Sequence, residues 1–428
     1  DLAQLRDPRT PAKAGNVLGA NQPVVVWIDV RVPTQTKPSK YQGAFTLIES
    51  SKPEPLATVK FSLQVHNFVL PDDRHLNMVG NVDWDALKRH WPERFEVIRP
   101  ALLNRTSTHQ RPAIETLDAL MRMAQEHRVQ LQIPKLQPTV KWHAVQPVAI
   151  DWTDYDSVVR PWLSGEAFAD KVPLGYWPLP RIDFLENLPA GARMEYYGAA
   201  AAHFDGLDWL RRAPIVLAKA TPGRANLTER LLLSTEASRI FSTHPRVRVM
   251  LPLESDEVQI AGPNNAMLIS PVATGRLHCA AQGLIGSSPL RQWPKELDEP
   301  QKWLRTDLSG LIPYAGAGGD EGDVCVWSWM AFLRKATLIH WNDCLPSASS
   351  LDRPADPNEL VWFYPGKWFG VEGIVPAVQL KWLRRAQQDF EYLYLARERE
   401  SEVNVRPMAR VLAKPVEIQA NQTPDPTF

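Results

Sequence analysis

Residues 213–224 read APIVLAKATPGR. Pro214 to Leu217 form a short apolar run of the kind that makes a buried strand. A loop follows, and a helical period begins near Leu227 and runs to Phe241. Strand, loop and helix in that order are one βα unit. Around it the same rhythm recurs. Upstream, Leu76–Val82, Val129–Ile133 and Val172–Trp177 read as strands, and Ile114–His127 carries Leu117, Leu120, Met121 and Ala124 at helical spacing. Downstream come strands at Val247–Leu253 and Thr337–Trp341, weaker ones at Val258–Ala261 and Met267–Ile269, and a Trp-rich helix at Val324–Ala336. So many βα units predict a parallel sheet closed as a (β/α)8 TIM-like barrel over residues 74–400. Gly262–Asp320 is rich in Pro and Gly, without clear period, and reads as long βα loops.

The region before the barrel differs. Val24–Val32 is a strong strand. Val59–Leu70 alternates Val59, Phe61, Leu63 and Val65 with Lys60, Ser62, Gln64 and His66, so one face is wet. Residues 1–73 are expected to form a partial β-sandwich. After the barrel, Val375–Arg399 places Leu380, Leu383, Ala386, Phe390 and Leu393 on one face of a long helix. Residues 401–428 read as an irregular C-terminal extension. The fold class is therefore multidomain α/β.

Composition narrows the function. Lys plus Arg and Asp plus Glu both number 48, a balance that argues against nucleic acid or an anionic membrane as main partner. No apolar run is long enough to span a bilayer. Cys279, Cys325 and Cys344 match no zinc spacing, and His143, His203 and His278 stand apart. Neither a metal nor a cofactor is expected. The 16 Trp suit sugar faces as well as cores, and a carbohydrate is the expected ligand.

Three segments together resemble family 123 glycoside hydrolases and their relatives: VVVWIDVRVP…YQGAFTL…VKFSLQVHNFVLP, then TLIHWND, then FYPGKWFGVEGIVPAVQLKWLRRAQQDFEYLYL. The resemblance covers nearly the whole chain in order and begins inside the family's sandwich, which implies missing N-terminal strands. It implies a β-sandwich followed by a barrel. It also implies an exo-acting hexosaminidase in which the substrate's 2-acetamido group is the nucleophile. There an adjacent Asp-Glu pair, closing an apolar strand before Pro, orients the acetamide and supplies the proton. Such chemistry needs one protonated carboxyl beside a charged one.

The matching segment here is VLAKATP. Pro222 is kept, but Ala220 and Thr221 occupy the acid positions. Neither is a useful acid near neutral pH. Replacement acids are sought first at Glu254, Asp256 and Glu257, just beyond the strand VRVMLPL, where barrel enzymes place catalytic groups. Asp298-Glu299-Pro300 spells the motif but follows loop-like sequence. Asp320, Glu321 and Asp323 suit a helix N-terminus. For substrate binding the candidates are Trp177, Trp341, Asn342, Asp343 and Tyr364. For Trp341 a sugar floor and core packing are both open. Asp389 and Glu391, on the long helix, read as structural.

Two readings follow. One is a glycoside hydrolase-like pseudoenzyme, binding glycan or serving as a structural subunit beside protein partners, in a secreted, periplasmic or cell-surface assembly. The other is an active exo-glycosidase with its acids moved to Glu254, Asp256 and Glu257.

Overall fold

A computed structural model describes residues 28–48, 54–143, 146–183, 185–217, 227–253, 277–282, 302–306, 321–341, 343–347 and 361–399. The chain divides into two compact units, Asp1–Pro71 with Gly366–Glu372, and Asp72–Pro365 with Gly373–Phe428.

In the first unit, β1 (Ser39–Ile48) and β2 (Pro55–Val65) pair antiparallel from Ser39↔Val65 to Leu47↔Ala57, with an irregularity at Leu47/Ile48. The Phe45 and Phe61 rings stack with centroids 4.6 Å apart. Gly43 faces Phe61, and any Cβ there would strike its ring. The alternation of Phe61, Leu63 and Val65 is visible as half-buried positions, whereas Val59 is exposed. The expected sandwich is not what the described residues show: they form one two-stranded ribbon. Residues 28–32, the described part of the expected Val24–Val32 strand, join no sheet. The second strand also ends earlier than its apolar pattern suggested, at Val65 rather than Leu70.

The second unit opens with β3 (Asn77–Asn81), then α1 (Trp84–His90), α2 (Pro92–Phe95) and α3 (Arg111–Glu126). Asp83 caps α1, its Oδ2 accepting from Ala86 N at 3.1 Å, as an Asp at that position should. In α3 the periodic Leu117, Leu120, Met121 and Ala124 are all buried. Arg128, at φ 60°, turns the chain out of α3 in the left-handed conformation. Next come β4 (Gln130–Gln132), the antiparallel hairpin β5 (Thr139–His143) and β6 (Gln146–Asp151), then α4 (Thr153–Leu163) and α5 (Ala190–Gly206). The quoted stretch supplies β7 (Ile215–Val216), and α6 (Leu227–Thr243) follows it. Then come β8 (Val249–Leu253), β9 (Leu277–Gln282), β10 (Lys302–Thr306), α7 (Glu321–Arg334) and β11 (Leu338–Trp341). A short hairpin of β12 (Phe363–Pro365) with β13 (Ile374–Pro376) leads into α8 (Val378–Arg399).

Seven strands make one sheet in the order β4-β3-β11-β10-β9-β8-β7, every neighbour parallel. The βα alternation therefore gives the parallel sheet it implied. An eighth paired strand is not present among the described residues. The segment expected to be one, Val172–Trp177, forms no ladder. Pro173 inside it, and Pro178 and Pro180 just beyond it, remove N–H donors that a ladder through residues 172–180 would need. It is still held on both sides. Trp177 N and Leu179 N donate to Arg212 O and Pro214 O, flanking β7, at 3.0 and 3.1 Å. Gly175 N and Tyr176 N donate to the Gln130 side chain of β4 at 3.0 and 3.1 Å.

Gly262–Asp320 was read as loops, yet it contains β9 and β10. LHCAAQ and KWLRT are too short and mixed for their period to show. The weak strand candidates Val258–Ala261 and Met267–Ile269, and residues 401–428, lie outside the described residues.

Outward-facing Met78, Leu131, Ile339 and Trp341 join the main core against the helices. That core includes Trp162, Trp327, Phe95 and the apolar stripe of α8, where Leu380, Leu383, Ala386, Phe390 and Leu393 are buried. Gly80 is required on this outward side, since a Cβ would collide with Cys344 Sγ and the Trp362 ring.

Candidate functional site: a polar cavity at the strand ends

The opposite face of the same strands builds a cavity. Period-two alternation sets its layers. Val79, Val216, Met250, Leu338 and Tyr176 form a separate small apolar cluster inside the sheet. Beneath it Gln130 Nε2 donates to Asn77 Oδ1 at 2.7 Å. On the other side of that cluster, toward the carboxyl ends of the strands, stand Asn81 of β3, Gln132 of β4 and His340 of β11. These three strands are neighbours. Together with Tyr155, Trp177 and Arg181 these side chains line a cavity of ≈ 200 Å³, with Val216, Met250 and Leu338 at its apolar base.

The polar trio is a closed triangle. Gln132 Nε2 donates to Asn81 Oδ1 and lies 2.7 Å from His340 Nε2, which is 3.1 Å from Asn81 Oδ1. Proton counting gives it two states. With a bare Nε2, His340 accepts from Gln132. With a protonated Nε2, it donates to Asn81. The Gln132 Oε1 atom is buried and has no hydrogen-bond partner among the described residues, a costly arrangement unless something else supplies a donor.

The facing wall is held by hydrogen bonds. Trp177 Nε1 donates to the buried Tyr155 hydroxyl at 2.8 Å, and the Tyr196 hydroxyl donates to Pro180 O at 2.7 Å. Burial pushes both phenols well above their ordinary range, and Trp177's hydrogen bond offsets only part of this for Tyr155. Both therefore remain neutral near pH 7: Tyr155 lines the cavity, and Tyr196 holds the lining residue Pro180, rather than acting as bases. At the edge Arg181 pairs with Glu186. None of the described lining residues is Asp or Glu.

Of the sequence candidates, Trp177 is on the cavity wall. Trp341 is not: it is 4% exposed and packs edge-on against Trp362 and tilted against Trp327, at 5.6 and 6.0 Å. The correction follows from alternation, because its neighbour His340 faces the cavity, so Trp341 must face the helices. Asp343 is exposed, and its Oδ1 accepts from Leu345 N at 3.1 Å, closing the turn after β11. Tyr364 pairs with Val375 in the β12–β13 hairpin and is not among the cavity-lining residues. Asn342, Glu254, Asp256, Glu257, Ala220, Thr221, Asp298, Glu299 and Asp320 lie outside the described residues. Glu321 and Asp323 fall in the first turn of α7, where acids suit the helix end. His203 pairs with Asp156 at 2.9 Å and stacks on Trp152. Asp389 pairs with Arg385 on its own helix, and Glu391 bonds His75. Among the described residues no three His, Cys, Asp or Glu converge to hold a metal, and no helix is long and apolar enough to cross a membrane.

Asn81, Gln132, His340 and Tyr155 were not singled out from the sequence. Asn81 and Gln132 had a signal: each is the last inward residue of a strand preceding a helix or loop. Tyr155 had none.

No protein-family model matches the sequence, and no curated protein does. Solved structures do match in fold. A family 123 glycoside hydrolase from Clostridium perfringens, studied for glycolipid glycan hydrolysis, superposes with a TM-score of 0.56 at 9% identity, over 90% of this chain and 70% of that one. A GH39 enzyme from Xanthomonas axonopodis pv. citri reaches 0.37 at 11% identity, over 74% of this chain and 66% of that one; at that score it carries no argument. The fold is glycoside hydrolase-like. Identity this low speaks to architecture alone, and the chemistry has to be read from the site.

Proposed function

We propose that this chain binds carbohydrate in the cavity at its strand ends and does not hydrolyse it. The observation that carries this reading is the lining itself. Two carboxamides, an imidazole, a hydrogen-bonded Tyr–Trp pair and an apolar base suit sugar hydroxyls and ring faces, yet the described lining has no carboxylate. The resemblance to family 123 points the same way, with Ala220 and Thr221 where that family has its acids. We take the seven-stranded sheet as a barrel closed through residues 174–179, and the setting as secreted, periplasmic or cell-surface. A structural role beside partner proteins is compatible with this.

One observation favours a second reading. β8 gives Met250 to the cavity base and ends at Leu253, directly before Glu254, Asp256 and Glu257. Acids there would follow the carboxyl end of a cavity strand.

Release of nitrophenol from aryl N-acetyl-hexosaminides separates the two. The binding reading expects no turnover above buffer by wild type. Turnover that disappears in Glu254→Gln, Asp256→Asn or Glu257→Gln would establish the hydrolase instead.

A further inference from the structure

The described cavity lining divides into a polar corner and an apolar base. Asn81, Gln132 and His340 stand together on three neighbouring strands, while Val216, Met250 and Leu338 make the base. Proton counting sets what the corner offers. Asn81 Oδ1 accepts from Gln132, so the Asn81 side chain has its amide N–H donors left to give. Beside it, Gln132 Oε1 is an acceptor with no partner among the described residues, on a side chain that is 6% exposed. Donors next to an acceptor match hydroxyl groups, which do both.

The base offers nothing of the kind. Val216, Met250 and Leu338 have no side-chain donor. Gln130, beneath them, is committed: its Nε2 donates to Asn77 Oδ1, and its Oε1 accepts from Gly175 N and Tyr176 N. On the wall, the Trp177 indole N–H is given to Tyr155. A hydroxyl pressed against this base would lose its water without gaining a partner. An ordinary hexopyranose meets that penalty edge-on, because every carbon of its perimeter bears a hydroxyl or hydroxymethyl group. A 6-deoxyhexose has one aliphatic edge. Its C5 carries a methyl group, and the C2 and C3 hydroxyls lie on the opposite side of the ring. That is the same division, polar at one end and apolar at the other, as in the cavity.

We propose that the cavity selects a 6-deoxyhexose, with ring hydroxyls at Asn81 and Gln132 and the methyl group on Val216, Met250 and Leu338. This rests on the carbohydrate-binding reading and sharpens it.

Calorimetric titration of the full chain tests it with pairs that differ only at C6: methyl α-L-fucoside against methyl α-L-galactoside, methyl α-L-rhamnoside against methyl α-L-mannoside, and methyl β-D-fucoside against methyl β-D-galactoside. The expected result is a preference of about tenfold to a hundredfold for the methyl member of at least one pair, the range an apolar pocket gives against an added hydroxyl. That pair identifies the configuration. Met250→Gln keeps the side-chain length and gives a C6 hydroxyl a partner, so the preference should narrow. Gln132→Met strips the corner and should weaken or abolish binding of both members. Thermal unfolding verifies that the variants fold, and if they do not, the three pairs on wild type still decide. Equal affinity within every pair, or preference for the hydroxymethyl members, overturns the proposal while leaving sugar binding intact. So does binding of N-acetyl-D-galactosamine but of none of the six. Binding of none of the seven overturns this proposal and the carbohydrate reading together.

Discussion

Trp177 donates its indole N–H to the Tyr155 hydroxyl across 2.8 Å, and both side chains are at most 4% exposed. The bond ties the irregular segment 174–179 to the start of α4 and makes one wall of the cavity. Removing the acceptor leaves a buried N–H unpaired, which costs about 1–3 kcal/mol. Tyr155→Phe should lower the urea midpoint accordingly, with an unchanged m-value. An unchanged midpoint would mean that the wall does not depend on this bond.

Gly80 and Gly191 form an internal control. A methyl group at Gly80 would run into Cys344 Sγ and the Trp362 ring, while nothing lies within 4 Å of one at Gly191, in the first turn of α5. Gly80→Ala should destabilise by about 1–3 kcal/mol through overpacking. Gly191→Ala should stabilise by about 0.4–1 kcal/mol through a less flexible unfolded chain. Thermal unfolding of the pair should shift in opposite directions.

Glu391 joins α8 to His75, two residues before β3. Its Oε1 accepts from His75 N at 2.9 Å and Gln387 Nε2 at 2.7 Å, and its Oε2 lies 2.8 Å from His75 Nδ1. The side chain is fully buried. Its charge also offsets Arg128 and Arg74, the latter pushed down to about 10, first by burial and then by Arg128. Glu391→Leu should cost about 3–5 kcal/mol, since it orphans buried donors and cations. Chemical denaturation measures this, and a loss below 1 kcal/mol would remove Glu391 from the anchoring role.

The tyrosines give the pH dependence. Burial raises the phenols of Tyr155, Tyr196 and Tyr197 above the ordinary value near 10. Above that pH the unfolded chain releases phenolic protons that the folded chain keeps. Their contribution is thus complete below about pH 10 and declines as pH rises beyond it. Absorbance at 295 nm should show these three ionising only with unfolding. Reversible ionisation near pH 10 in the folded state would contradict the burial.

Much of the sheet could be read in advance where apolar runs were long or flanked by clear helices. NMVGN, VQLQI and LIHW became β3, β4 and β11 at nearly the expected bounds. β9 and β10 were missed because parallel strands of five or six residues with mixed chemistry have no readable period. The segment 172–177 has the apolar content of a strand, but Pro173 and the prolines at 178 and 180 interrupt its donors and leave only isolated bonds beside β7. The site was less legible than the fold. Trp341 drew attention as an aromatic at a strand end, but facing is decided by parity, and parity selects His340. Tyr155 reaches the cavity only through tertiary placement of α4.

Saturation-transfer NMR with N-acetyl-D-galactosamine, N-acetylgalactosamine 6-sulfate and methyl β-D-glucuronide, on wild type and Gln132→Met, is the most direct test of a sugar-binding cavity. Gln132→Met keeps the side-chain volume and removes the carboxamide beside Asn81 and His340. The account predicts transfer to at least one sugar with wild type and its loss with a folded Gln132→Met. No transfer with wild type, or transfer unchanged in the variant, would contradict it.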